Sequence, residues 1–313
     1  MIKIYRTDDS KIGEVHAFEP GSWIQLTDPS QDELEMISEK FEIDIADVRA
    51  AMDADESSRV DIEDIYTLIL VDIPVVEIRN EQKAYTAIPL GILILDDYFI
   101  TICAEETPVL QYFVNSTVRE FSTKKQMRFV YQILYRTCMV YQLYLRTIDS
   151  KRTEIEERAQ EDMKEADLVT LHELESNLVY FATSLRANGA VIDRLSRYSR
   201  VRQFPEDKDL LDDVKVENGQ AIEMTNIYRD IIHGTRELLS NIIDIRLNNV
   251  MKYLAAITIV MAIPNIVSGF YGMNVDSRWV PLQDTPYGFM MICAATFLLC
   301  ILVLKILKRQ KML

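Results

Sequence analysis

YLAAITIVMAIPNIVSGFYGMNV, residues 253–275, decides the fold: it is 23 residues long, carries no charge and closes on Tyr271-Gly272-Met273-Asn274. A second uncharged run, 20 residues from Thr285 to Leu304, follows after a short polar stretch. About 20 helical residues are needed to cross a hydrocarbon core of about 30 Å, so each run is long enough. Two membrane helices are therefore expected at the C-terminal end, with residues 1–252 left for water-soluble structure.

Charge sets the orientation. Arg246 and Lys252 precede the first run, and Lys305, Lys308, Arg309 and Lys311 follow the second, whereas the joining loop has only Arg278 against Asp276 and Asp284. Lys and Arg collect on the cytoplasmic flanks of membrane helices, so both termini belong inside and the Asn274 loop outside. The opening MIKIYRTDDS has no apolar signal core, so the large front part is expected in the cytoplasm and the chain in the cell membrane, crossing it twice.

The whole chain has a net charge of −15, and the acidity lies in front of the membrane runs. From residue 248 onward there are six Lys/Arg and two Asp/Glu, leaving 28 basic and 47 acidic residues before it, a net of −19. Such a surface repels nucleic acid and attracts cations, although acidity also serves solubility alone. Cys103, Cys138, Cys293 and Cys300 lack CxxC spacing and the three histidines are isolated in sequence, so no zinc site is legible. Cys293 and Cys300 share a helix face, which helix packing or lipid explains. With no catalytic constellation and no organic cofactor implied, an enzyme is not expected.

Short alternating pieces up to residue 27 (Ile2, Ile4; Trp23, Ile24, Leu26) indicate strands. A helix is expected from Asp28-Pro29, with Leu34, Ile37 and Phe41 at helical spacing, and a second after Asp44 with Ile45, Val48 and Met52. The acidic segment 53–64 reads as a loop without a calcium-loop pattern. Two strand-like stretches, 66–78 and 84–103, are dense in Ile, Leu, Val and Tyr and flank a turn at 79–83. From Thr123 to residue 198 the spacing predicts two long helices broken near Glu165 to Thr170. Pro205 separates them from one helix running from near Leu210 to Tyr271. Along that helix Ala221, Met224, Tyr228, Ile231, Thr235, Leu238, Ile242, Ile245 and Asn249 form a heptad seam that needs partners, most simply copies of itself.

Within the first membrane helix Met251, Ala255, Thr258, Ala262, Asn265, Gly269 and Gly272 make a stripe of small and polar residues. Small residues at this spacing serve close helix packing, whereas an amide at membrane depth usually faces a bundle interior or water. Both readings, packing and pore lining, stand at this point.

The Tyr271-Gly272-Met273-Asn274 loop at the outer end of the first of two C-terminal helices resembles the CorA family of magnesium channels. Asn248-Asn249-Val250-Met251-Lys252 at the cytoplasmic entry, Pro264 in mid-membrane and the acidic front domain belong to the same resemblance. It implies a funnel-shaped homopentamer whose α/β (αβα sandwich) cytoplasmic domain leads into a stalk helix that continues as the pore-lining helix, with a second transmembrane helix facing lipid. On that basis the chain divides into an α/β domain (1–122), a long-helix hairpin (123–204), a stalk (205–249), a pore helix (250–272), an external loop (273–285), a second transmembrane helix (286–306) and a basic tail (307–313).

The resemblance implies passive import of hydrated Mg²⁺, with Co²⁺ and Ni²⁺ often accepted, and gating by intracellular Mg²⁺. Gly272, Met273 and Asn274 match the family's outer filter, and Asn248, Met251 and Leu254 its cytoplasmic constriction. Ala262 and Asn265 fall where the family lines the pore midway, and Thr258 and Gly269, on the same stripe, are expected to line it with them. The loop VDSRWVPLQDTP departs from the family's usual Met-Pro-Glu-Leu type, and Arg278 is unexpected there. Asp212-Asp213-Val214 keeps an aspartate, Asp213, where the family has an Arg-Asp-Val element, which makes Asp213 the candidate for regulatory Mg²⁺. Its alternative role is helix-start electrostatics. The rival functions are the related zinc transporter branch and a membrane-tethered coiled-coil scaffold.

Overall fold

The computed structural model describes residues 1–8, 11–79, 82–115, 118–161, 164–197, 205–274, 281–282 and 285–310. It divides into two compact units, residues 1–236 and 237–313.

The first unit is built on seven strands: β1 (Ile2–Asp8), β2 (Lys11–Val15), β3 (Ser22–Thr27), β4 (Arg59–Ile62), β5 (Thr67–Arg79), β6 (Gln82–Ile94) and β7 (Tyr98–Cys103). They form one sheet in the order β2-β1-β3-β7-β6-β5-β4, antiparallel except for the β3–β7 pair. Alternation along the strands sorts side chains to two faces. Ile24, Leu26, Leu68, Leu70, Leu93 and Ile100 face α1 (Gln31–Phe41) and α2 (Ile45–Ala50), which contribute Leu34, Ile37 and Val48. Trp23, Ile69, Val71, Ile92 and Phe99 face the other way, onto α3 (Pro108–Asn115), α4 (Gln126–Glu161), α5 (Glu165–Leu195) and the start of α6 (Pro205–Tyr271). Helices thus cover both faces of the sheet, the αβα sandwich expected from the resemblance.

Local chemistry moved several boundaries. α1 starts at Gln31 because Ser30 closes a capping box: its hydroxyl accepts from the Glu33 amide at 3.3 Å while Glu33 accepts from the Ser30 amide at 2.9 Å. Asp44 caps α2 by accepting from the Ala46 amide at 2.8 Å. The stretch 84–103 is two strands, turned at residues 95–97, where the Leu95 amide donates to the Tyr98 carbonyl. The segment 53–64 contains a strand, β4, whose pairing with β5 is a long-range contact that an acidic composition conceals. α3 has no counterpart in the sequence reading.

The start of α6 corrects the heptad seam. Leu211, Val214, Asn218, Ala221, Thr225 and Ile232 are buried, whereas Ile231 remains 41% exposed. Leu211 and Val214 share a core with Leu134 of α4 and Val191 of α5, and the Asn218 amide donates to the Leu185 carbonyl at 3.1 Å. Two neighbouring stripes share positions 221, 228 and 235. Apolar content favours the one through Met224 and Ile231, but the polar members Asn218 and Thr225 pack inside. Partners from the same chain, α4 and α5, cover this inner stripe.

Candidate functional site

The second unit holds the remainder of α6, which ends at Tyr271, and α7 (Gly288–Arg309). Both helices are long and apolar enough to cross a membrane. Only 6% of the apolar span of either is buried, and Phe289 at the head of α7 is 80% exposed. Apolar surface left out of water's reach favours folding at about 25 cal/mol per Å², so faces this bare fit a lipid environment.

Pro264 sits inside α6 and has no amide hydrogen, so the Val260 carbonyl, four residues earlier, loses its helical donor. In a membrane such a carbonyl must find another partner. The Cys300 thiol of α7 lies 3.9 Å from that oxygen and points a donor at it. This gives Cys300 a role that sequence spacing did not disclose. The pair also encloses a groove of about 760 Å³ near its Asn274 end, lined by Pro264, Val267, Tyr271, Phe289 and Cys293 among others.

Ala256 is buried and Val260, Ile263 and Val267 are partly covered, which marks the α7-facing side of α6. Thr258, Asn265 and Gly269 are exposed, each two residues from a covered position, and two helical steps of 100° place them nearly opposite α7. Asn248, Met251 and Leu254 are exposed too, and Ala262 is half-buried. The Thr258 hydroxyl donates back to the Leu254 carbonyl at 2.8 Å, and nothing lies within 4 Å of where a Gly269 side chain would begin. Thr258, Asn265 and Gly269 thus lie on a surface of α6 that α7 leaves uncovered, whereas Ala262 is partly covered and Gly272 lines the groove shared with α7.

At the end of α6 the Gly272 amide donates to Ser268 and the Met273 amide to Phe270. A side chain on Gly272 would meet the Ser268 carbonyl at 3.2 Å, a tight contact that the backbone would have to ease by a few tenths of an ångström. The Tyr271 hydroxyl donates to the Pro281 carbonyl at 2.9 Å, fixing the return of the chain toward α7. Asn274 follows exposed, and Arg278 lies outside the described residues.

Asp213 lies in the first unit, exposed on the wall of a cleft of about 880 Å³ together with Arg136, Tyr135, Glu206 and Asp209. The acids of this helix start have separate fates. Asp207 is 1% exposed and accepts from Arg128 at 3.1 Å, so it is a structural anchor. Arg136 stacks on Tyr112, 4.2 Å from the ring centroid. Tyr135 is held above its usual range, first by burial and then by the charges of Glu217 and Asp213. The acids that share the cleft with Asp213, apart from Glu120, come from its own helix.

The sequence model of a family described as "CorA-like Mg2+ transporter protein" matches residues 19–309. A cobalt/magnesium transport protein CorA of Methanocaldococcus jannaschii is 26% identical over 292 residues, covering 92% of this chain and 90% of that one. The complete structure of the CorA magnesium transporter from the same organism matches with a TM-score of 0.82 at 23% identity, over 99% of this chain and 98% of that one. The cytoplasmic domain of ZntB from Vibrio parahaemolyticus matches 75% of this chain and 97% of its own, with a TM-score of 0.52 at 13% identity.

Proposed function

Because the chain belongs to the CorA family of Mg²⁺ transporter proteins, we propose that it forms a passive path by which hydrated Mg²⁺, and with it Co²⁺ and Ni²⁺, enters the cytoplasm across the cell membrane. The observation that carries this reading is the position of Gly272-Met273-Asn274 where α6 ends, on a helix whose Thr258, Asn265 and Gly269 are turned away from α7. Copies of α6 surround the path in a homopentamer, with Thr258, Ala262, Asn265 and Gly269 toward its axis and α7 toward lipid. Asn248, Met251 and Leu254 make the narrow cytoplasmic end.

Mg²⁺ sheds water reluctantly, so a mouth that accepts it must hold its shell rather than strip it. Asn274 amides in a ring do this: each carbonyl oxygen accepts from bound water, and a neutral group releases the ion again. The membrane potential supplies direction, about 2.3 kcal/mol per elementary charge per 100 mV and twice that for a divalent ion. Flux in liposomes tests the reading. Mg²⁺ entry driven by an imposed potential is expected, with little Zn²⁺ entry, and Cys introduced at Leu282 but not at Gln310 should label from outside in cells. Zn²⁺ flux without Mg²⁺ flux would favour the zinc branch, and no flux of either would sink the transport reading for this chain.

Gating is proposed to run through Asp213. Mg²⁺ held by acids of neighbouring subunits would stabilise whichever state brings them together, in proportion to its differential affinity. Arg136, on the same cleft wall, supplies the basic neighbour that the Asp212-Asp213-Val214 element lacks. Asp213→Ala is expected to reduce the protection that millimolar Mg²⁺ gives the cytoplasmic unit against protease, and to leave flux less sensitive to internal Mg²⁺. Unchanged Mg²⁺ dependence of both would return Asp213 to helix-start electrostatics.

A further inference from the structure

Two of the three histidines, isolated in sequence, come together in the unit of residues 1–236. His172 and Glu175 stand one turn apart on α5, His233 and Arg236 one turn apart on α6, and the two pairs meet. The Glu175 carboxylate is central: Oε1 lies 3.4 Å from His233 Nδ1, and Oε2 lies 4.0 Å from His172 Nδ1 and 2.7 Å from Arg236 Nη1. Arg236 also reaches both rings, with Nη1 3.3 Å from His172 Nδ1 and Nη2 3.4 Å from His233 Nδ1. A guanidinium only donates and a carboxylate only accepts, so the tautomer of each ring decides which of the two its Nδ1 bonds to. Two imidazoles and a carboxylate are thus turned toward a single cation.

Those atoms are a ligand set. Imidazole nitrogen suits Co²⁺, Ni²⁺ and Zn²⁺, whereas Mg²⁺ prefers carboxylate and water. Metal–ligand distances of about 2.0–2.2 Å put neighbouring ligand atoms about 3–3.5 Å apart. The Glu175–His233 contact already has that spacing, and the Glu175–His172 contact exceeds it slightly. Among the described residues no three His, Cys, Asp or Glu side chains are gathered to hold a metal as they stand. Arg236 lies 2.7–3.4 Å from all three side chains.

We propose that His172, Glu175 and His233 bind Co²⁺, Ni²⁺ or Zn²⁺, the ion displacing Arg236 from between them. Both histidines are exposed and the Arg236 side chain is 31% exposed, so the guanidinium has water to swing into and the ion has access from solvent. Water completes the coordination. The bound ion ties α5 to α6, which Mg²⁺ cannot do through imidazoles, so this unit would distinguish transition metals from Mg²⁺ at a place separate from the ion path.

Co²⁺ titration of the full-length protein in detergent, under millimolar Mg²⁺, tests this by the visible absorption of nitrogen-ligated Co²⁺. A saturable band with a single ion per chain is expected, erased by Zn²⁺ and indifferent to Mg²⁺. H172A/H233A should lose it. R236A should bind about tenfold more tightly, equivalent to about 1.4 kcal/mol of removed competition, a gain that misfolding cannot imitate. Equal Co²⁺ binding by the parent and H172A/H233A, or weaker binding by R236A, overturns the site. The assay reads binding alone, so its outcome is separate from whether the chain conducts.

Discussion

Asn274→Ala is expected to bring Mg²⁺ flux down to that of empty vesicles while the oligomer elutes unchanged. Asn274 is exposed beyond the last turn of α6, so truncating its side chain removes almost no burial. What disappears is a carbonyl acceptor, once per subunit, at the proposed mouth. Methyl groups in that ring cannot hold the water of a hydrated ion, and the barrier to entry rises accordingly. Asn274→Asp should fail differently, with Mg²⁺ bound more firmly but released slowly, because a carboxylate holds the divalent charge too well. Asn265→Leu is the companion variant. If Asn265 faces the path, flux is lost with the oligomer intact. If it is packing glue, the oligomer loosens by about 1 kcal/mol per contact. Normal flux through correctly assembled Asn274→Ala would sink the filter assignment whatever Asn265 does.

The second large effect is on stability. Phe129, fully buried near the start of α4, has ring centroids of Trp23, Phe99, Phe113 and Phe121 at 5.0, 4.5, 5.1 and 4.7 Å. It joins β3, β7, α3 and the segment before α4 on one face of the sheet. Phe129→Ala is expected to cost about 3–5 kcal/mol through lost transfer energy and an unfilled cavity. For a unit of this size each kcal/mol moves Tm by about 2–4 °C, so a fall of about 10 °C in the detergent-solubilised protein is the anticipated reading. Leu143→Ala, at a 54% exposed position of the same helix, should shift it little. A Phe129→Ala protein that unfolds within a degree or two of the parent would show that the aromatic cluster is not the centre of this core.

The sequence by itself determined the features that neighbours in the chain decide. Two uncharged runs long enough for a bilayer, the basic residues flanking them, and the alternating strands needed no tertiary contact to be recognised. The long helix, uninterrupted from Pro205 to Pro264, was legible in the same way, as was the stripe through Thr258 and Asn265. Family resemblance added the Gly-Met-Asn assignment, because four residues in a loop have no periodicity to read.

Tertiary structure decided whatever depends on residues far apart in the chain. The inner stripe of α6 runs through Asn218, whose amide donates to the Leu185 carbonyl of α5, and Thr225, whose hydroxyl donates to the Ala221 carbonyl of its own helix, so both polar side chains can be buried where no periodicity shows it. β4 exists because β5 provides a ladder for it, and the run 84–103 breaks where β6 must turn back to pair with β7. Cys300 acquires a purpose only when α7 brings it to the carbonyl that Pro264 orphaned, 40 residues earlier. Likewise His172 and His233, 61 positions apart in sequence, became a ligand set only once α5 and α6 packed and set Glu175 between them. Periodicity reports which face of an element is apolar. What that face meets, and which distant polar group completes a site, is settled by packing, because hydrogen bonds and ligand geometries depend on distances in space rather than along the chain.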